Sequence, residues 1–364
     1  MAYSTVSGRF CGRTNLPMGE FGIIEQFFRD ACPRANALDH PLALGIGDDA
    51  AILAPVPAGH QVVMTTDTLV EGRHYWPDVD PQSLGHKVLA VNLSDLAAMG
   101  AEPWAFTLSV SMRTLRTDWL SAFMKGMSEL ASRFRIDLVG GDTVSLGSDP
   151  SSPESFSVTA LGLVPQGQAL RRDGLMTGDG LWVSGDLGDG QQAVRTGTRA
   201  RKLLWPEPRL ALGLALRGIA HAAIDVSDGL SSELTHLVIE SRRRSGLPLQ
   251  VQVDLLALSS CLGSLPQAAL AAGQCDIHQA CRDAAGSGDE YELVFAAPES
   301  ASAALAQISG RLGLALTRIG QVREWSSCEP YSDSDPVVWS DRQGRPVSQD
   351  QQPRGGFDHF AAPT

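Results

Sequence analysis

Aspartates recur along this chain in short motifs, each beside glycine or a hydroxyl residue and each at the end of a strand-like or helical run. The motifs are Gly45-Ile46-Gly47-Asp48-Asp49, Thr65-Thr66-Asp67-Thr68, Asn92-Leu93-Ser94-Asp95, Gly140-Gly141-Asp142-Thr143 and Asp225-Val226-Ser227-Asp228-Gly229. Carboxylates this numerous in turn-prone, partly apolar surroundings repel one another if left bare. Hard divalent cations relieve that repulsion, because Mg2+ prefers oxygen ligands and keeps waters and phosphate oxygens in its shell. The pattern therefore points to a fold that gathers element ends around several metal ions and a polyphosphate.

The length of 364 residues suggests two domains. A hydrophobic content of 43% with 37 glycines suits an α/β protein rich in tight turns. The net charge of -12 disfavours nucleic-acid backbones and anionic membranes as partners. No apolar run approaches the roughly 20 residues that span a bilayer, and the N-terminus lacks a signal-peptide core. A cytoplasmic location is the resulting expectation. Cys11, Cys32, Cys261, Cys275, Cys281 and Cys328 form no CxxC pair, so free thiols are expected rather than a zinc site.

Residues 1–17 read as a flexible N-terminal extension, with Met18 opening a better-patterned stretch. Gln61 to Thr66 reads as a strand ending at Asp67, and Ser83 to Met99 as a helix that Gly100 terminates. Trp104 to Met112 alternates as a half-buried strand. Asp118 is placed to cap a helix running to about Phe134, and Phe156 to Val164 reads as another strand. The loop with Pro165, Gly167, Gly174 and Gly178 marks the boundary between an N-terminal domain, residues 18–165, and a C-terminal α/β domain, residues 166–364. In the second half Leu181 to Ser184, Ala222 to Asp225, Leu249 to Val253, Tyr291 to Ala296 and Leu316 to Val322 read as strands. Leu230 to Glu240 and Ala301 to Leu312 read as helices. Strands alternating with helices indicate α/β layers.

Each acidic motif has a plainer reading. Gly45 to Ala50 fits a loose G-x-G-x-x-A pattern, but two acids in such a loop repel a pyrophosphate, so metal binding is the better use of Asp48 and Asp49. Asp67 could close a simple Asx turn. Asp95, in an apolar helical segment, is costly to bury unless paired or metal-bound. Asp142 after two glycines suits close backbone approach to a ligand or a plain turn. Ser227 or Asp228 can cap the helix that follows, yet a cap needs one acid and Asp225 is a second. The recurrence at element ends favours a multi-metal phosphate site. A P-loop, the protein-kinase motif set and a G-x-S-x-G elbow are all missing from the sequence.

With these residues, the chain resembles the thiamine-monophosphate kinase family. The acidic motifs carry the likeness, with Thr66 to Gly72, Lys87 to Gly100, Tyr291-Glu292-Leu293 and Gly356 to Phe360 beside them. The resemblance runs in order from about Gly19 to Phe360. It implies a two-domain aminoimidazole-ribonucleotide synthetase-like fold and a homodimer whose N-terminal sheets pair. It implies phosphorylation of thiamine monophosphate to thiamine diphosphate by ATP, the last step of cofactor synthesis. By matching position it implies Mg2+ ligands at Asp49, Thr65, Thr66, Asp67, Asp95, Asp142, Asp225 and Asp228. ATP contacts are implied at Gly141, Asp142, Arg172 and Ser227, and thiamine-monophosphate contacts at His74 and Asp289.

Two departures stand out. Ser287-Gly288-Asp289-Glu290-Tyr291-Glu292-Leu293 swaps the acid order of similar enzymes, which read Gly-Gly-Glu-Asp-Tyr-Glu-Leu, and so shortens the first acid by a methylene. Arg354 stands where some relatives carry a substrate-packing aromatic, with Phe357 as a substitute. The acceptor is already an anionic phosphate oxygen, so no acid–base residue is assigned. Positioning and charge neutralisation are the expected catalytic means, with Arg172 forking onto ATP phosphates and Asp289 offsetting the thiazolium. Another ATP-using synthetase of the same fold, a non-catalytic metal-dependent nucleotide-binding regulator and a two-metal phosphohydrolase are the competing readings.

Overall fold

The alternation at residues 104–112 becomes an inner strand of a four-stranded sheet. The computed structural model describes residues 20–23, 27–28, 42–325 and 335–353. The extension 1–17, Arg354 and Phe357 lie outside the described residues. In chain order the first half contains α1 (Glu20–Ile23), β1 (Leu42–Leu44), β2 (Ile52–Leu53), β3 (His60–Val70), α2 (Pro81–Ala98), β4 (Glu102–Met112), α3 (Thr117–Phe134), β5 (Asp137–Ser145) and β6 (Ser155–Pro165). The larger sheet of this half runs β3-β6-β4-β5. β3 and β6 pair antiparallel from His60↔Pro165 to Val70↔Ser155. β4 and β5 are parallel, and α3 between them supplies the crossover that parallel neighbours require.

The second half contains β7 (Gly180–Ser184), α4 (Asp189–Thr196), α5 (Arg201–Leu204), α6 (Leu210–Leu216), β8 (Ala222–Asp225), α7 (Leu230–Ser245) and β9 (Leu249–Asp254). It continues with α8 (Ser264–Ala271), α9 (Ile277–Ala285), β10 (Leu293–Ala297), α10 (Ser302–Leu312), β11 (Leu316–Glu324) and β12 (Val337–Ser340). Its sheet runs β12-β9-β11-β7-β10-β8. Only β12 with β9 is parallel there. The mixed sheets and flanking helices are those expected of the aminoimidazole-ribonucleotide synthetase-like fold.

Helix α2 connects the halves. It packs on β3, β6 and α3 from the first and on α6 and β8 from the second. Between Ser83 and Ala98 every residue is buried except Asp95, which is half-buried. Asp80 starts the helix, its carboxylate accepting from the Ser83 amide at 2.8 Å, with Pro81 in the first turn. Gly85 lets α3 come close, since a Cβ there would lie 1.8 Å from the Phe123 carbonyl oxygen. Phe123 and Phe156 stack in the core below, ring centroids 4.7 Å apart. Fully burying each such ring is worth about 1.5–3 kcal/mol.

The structure revises some local expectations. β3 continues past Asp67 to Val70, so Asp67 lies within a strand rather than at its end. Inward residues Thr65 and Asp67 alternate with outward Val62, Met64, Thr66 and Thr68, and Met64 is 70% exposed. Asp118 sits in the first turn of α3 without capping it. Gly229, which has no side chain to cap with, is the N-cap of α7. Gly140, Gly141 and Asp142 lie inside β5 rather than after it.

Candidate active site

Three aspartates from three elements meet between the sheets. Asp67 comes from β3, Asp95 from the last turn of α2, and Asp225 from the end of β8. Each is held by a neighbour on α2 or β3. Asn92 Oδ1 accepts the Asp67 backbone amide at 3.0 Å. Ser94 Oγ donates to Asp225 Oδ2 at 2.7 Å. Thr65 Oγ1 donates to Asp95 Oδ2. Strand alternation and helix pitch therefore aim one hydroxyl or amide at each acid.

Their electrostatics reflect this proximity. Burial, then the charges of Asp95 and Asp228, push the Asp67 carboxyl from 3.8 up to about 7. Burial raises Asp95, against the opposing Thr65 hydroxyl and the field of Arg172. Asp225 is pushed well up by burial and then by Asp95, with Glu233 and Asp67 adding to it. A carboxyl displaced from 3.8 to about 7 resists ionisation by about 4 kcal/mol. Cations brought from solution would offset that cost.

Glu233, in the first turn of α7, is a member that sequence reading missed. Its Oε1 accepts from the Asp228 amide at 3.1 Å and from Ser227 Oγ at 3.4 Å. It closes the Asp225–Gly229 turn from the helix side, as the returning acid of a capping box does. Burial first, and the like charge of Asp228 next among raising influences, lift Glu233 to about 7. Its signal was legible: an acid in the first turn after a motif already suspected of phosphate chemistry.

Not every suspected residue joins. Thr66 points outward, its Oγ1 donating to the Val158 carbonyl at 3.0 Å. Asp49 and Asp142 are exposed, and Asp142 Oδ1 accepts the Thr143 amide at 2.9 Å. Gly141 lies against β4, where a Cβ would come 1.9 Å from the Leu108 carbonyl oxygen, and its φ of 158° suits glycine. Arg172 is felt by Asp95 and Glu233 through its charge, and its carbonyl accepts from Ser241 Oγ at 3.2 Å. Among the described residues no three carboxylate, histidine or cysteine side chains form a ready-made metal cage. The oxygens of Asp67, Asp95, Asp225 and Thr65 nonetheless suit Mg2+, provided that phosphate and water complete the shell.

A pocket of about 130 Å3 opens beside this cluster, lined by Arg73, His74, Trp76, Lys87 and Asp289 among others. His74 Nδ1 accepts the Val70 amide at 2.9 Å in the tautomer this bond requires. Asp289 Oδ1 receives Lys87 Nζ at 2.9 Å and the Tyr291 hydroxyl at 2.9 Å. Tyr291 joins pocket to cluster: its hydroxyl is pushed up by burial, then Asp289, with Asp67 and Asp225 contributing.

Behind that wall lies a second, paired set of acids. Asp289 and Tyr291 both have left-handed backbones, φ 60° and 53°. The alternate residues Glu290 and Glu292 turn inward. Lys202 Nζ lies 3.0 Å from Glu290 and 3.3 Å from Glu292, and Arg209 clamps Glu292 through Nε at 2.7 Å. Glu290 also accepts the Gly188 and Gly190 amides, at 2.8 and 3.0 Å. The described cysteines Cys261, Cys275 and Cys281 are free thiols, and among the described residues no helix is long and apolar enough to cross a membrane.

Comparison with known proteins gives the fold and site a context. Residues 47–164 match the family model "AIR synthase related protein, N-terminal domain". The thiamine-monophosphate kinase of Salmonella typhimurium is 38% identical over 358 residues, covering 95% of this chain and 99% of that one. The crystal structure of thiamine-monophosphate kinase from Stenotrophomonas maltophilia K279a superposes with TM-score 0.72 at 38% identity, covering 85% of this chain and 93% of that one. The structure of AaThiL complexed with AMPPCP and TMP shares the fold, with TM-score 0.66 at 23% identity, covering 97% of this chain and 100% of that one.

Proposed function

The chain belongs to the thiamine-monophosphate kinase family, and from that premise we propose its reaction: it transfers the terminal phosphoryl group of ATP to thiamine monophosphate, giving thiamine diphosphate and ADP. The observation that carries this reading is the meeting of Asp67, Asp95 and Asp225 beside a pocket that holds Arg73, His74 and Lys87. Repelling acids suit cation-bound phosphates, and the basic pocket suits an anionic acceptor.

Asp67, Asp95, Asp225 and Asp228 with the Thr65 hydroxyl are the proposed core Mg2+ ligands. Asp49, Asp142 and Thr66, on the chain's exposed surfaces, are proposed ligands that need nucleotide or a neighbouring segment to complete their shells. Magnesium held by these residues would supply charge neutralisation for the phosphates. The protein's own groups do the positioning. Arg172 would fork onto ATP phosphates, with Ser227 and the backbone at Gly141 and Asp142 alongside. Asn92, Ser94 and Thr65 keep the acids in register, and His74 and Asp289 wall the acceptor pocket. Phe357, outside the described residues, is the proposed aromatic cover for thiamine.

Residues 18–165 and 166–364 are the proposed domains, the cytoplasm the proposed location, and a homodimer the proposed assembly. The outward face of β3, an edge strand carrying exposed Val62 and Met64, supports pairing of the N-terminal sheets.

One incubation with ATP, Mg2+ and thiamine monophosphate, resolved by chromatography, tests the reaction. Thiamine diphosphate with equimolar ADP is the expected result. Free phosphate with ADP would replace it with a phosphohydrolase. Nucleotide binding without ADP release would replace it with a regulator.

A further inference from the structure

Lys87 has no part in the chemistry assigned so far, and its placement is unusual. It projects from α2, is 3% exposed, and lines the pocket with its ammonium 2.9 Å from Asp289 Oδ1 and 3.4 Å from the His74 carbonyl oxygen. A buried ammonium needs an anion. Asp289 supplies one, through the same oxygen that takes the Tyr291 hydroxyl. Arg73 shares the pocket, so the cations that line it, Lys87 and Arg73, outnumber its single acid, Asp289, in a protein of net charge -12. This concentration of positive charge in an acidic protein is a receptor for an anion.

Asp289 is not free to follow Lys87 elsewhere. Its amide donates to the Ser227 carbonyl at 2.8 Å and the Tyr291 amide to the Val226 carbonyl at 2.8 Å. Glu290 and Glu292, pinned by Lys202 and Arg209, hold the left-handed Asp289 at the pocket wall. Lys87 and Asp95 lie on one helix eight residues apart, a rise of about 12 Å. An anion on Lys87 therefore sits within one cleft of the acidic cluster.

We propose that Lys87 binds the phosphate of the substrate monoester, with Asp289 as the fixed counter-ion that orients its ammonium. This deepens the proposed kinase reading and rests on it. The lysine takes no part in proton transfer. It acts as a compact point charge on a phosphate whose negative charge would otherwise repel ATP. Asp289 then serves the phosphate end of the substrate through Lys87, rather than standing free for the thiazolium.

The test compares thiamine monophosphate with thiamine, which lacks the phosphate, by calorimetric titration of the full chain. The wild type should bind the monophosphate at least about tenfold more tightly than thiamine. Lys87→Gln should lose about 10–100-fold for the monophosphate, the range for one charge-assisted bond, and less than about threefold for thiamine. Lys87→Arg should recover part of the loss, and the KM for ATP should hold in both. Equal losses for both ligands in Lys87→Gln would make Lys87 a strut between the halves and overturn the proposal. Unchanged monophosphate affinity would do the same. Should Lys87→Gln not fold, the wild-type ratio still decides, since equal affinity for the two ligands leaves no phosphate receptor. A wild type that binds neither ligand removes the kinase reading itself.

Discussion

Two groups of buried acids sit on either side of Tyr291 and have opposite characters. Glu290 and Glu292 are matched by Lys202 and Arg209, by Ser184 and by loop amides. Asp67, Asp95 and Asp225 have hydroxyls, an asparagine-held backbone and one another. The paired group carries its cations within the chain and holds a strained segment in place. The unpaired group is a deficit of positive charge that only the folded state creates. Burial is common to both, so the presence of a protein cation separates scaffold from ligand site.

The largest expected effect tests the unpaired group. Asp67→Asn or Asp95→Asn should lower turnover by about 100-fold or more, as removal of key transition-state stabilisation does, with circular dichroism unchanged. Near-normal thiamine diphosphate formation at saturating Mg2+ would break the contrast. The paired group should respond in stability instead. Lys202→Met leaves the buried Glu290 without a cation and should cost about 3–5 kcal/mol in urea unfolding, whereas Asp67→Asn should cost nothing or stabilise.

The pH dependence of the metal-free protein sharpens the same contrast. Asp67 goes from 3.8 when unfolded to about 7 when folded, and Glu233 from 4.5 to about 7. Between those values the folded state holds protons that the unfolded state has released. Stability should therefore fall as pH rises from about 4 to about 7 and level off above. Melting curves should show the fall, Mg2+ should reverse it, and Asp67→Asn should reduce it to the part that Glu233 contributes. A rise across that window in the metal-free protein would contradict the acidic deficit. Ser94→Ala removes one hydroxyl from Asp225 and should change stability by only about 1 kcal/mol, yet weaken Mg2+ dependence measurably in a titration of activity. Tyr291→Phe, the smallest expected change, should alter the KM for thiamine monophosphate a few-fold and leave melting within about 1 kcal/mol.

Much of the frame was legible because local rules act on neighbours in sequence. Helix α2 was read from its apolar spacing, though Asp80 and Pro81 set its start earlier than Ser83 suggests. The alternation at residues 104–112 and 156–164 marked β4 and β6. Strand ends were less legible: Thr65 to Val70 stays in β3 because β6 pairs with its full length, information that lies about 90 residues downstream. Ser227 and Asp228 looked like caps because their residue types suit that role, but Gly229 and Glu233 took it.

The site divides in the same way. The order of acids and glycines, and the family likeness they carry, belong to the chain as written. Which acids meet does not: period-two alternation turns Thr66 away from Thr65 and Asp67, and packing of α2 against β8 joins Ser94 to Asp225 across 131 positions. Lys87 was a letter in a motif until its ammonium was seen against Asp289. Local propensity is written in neighbouring residues, whereas electrostatic coupling falls off with distance in space and comes into being only when the chain has folded.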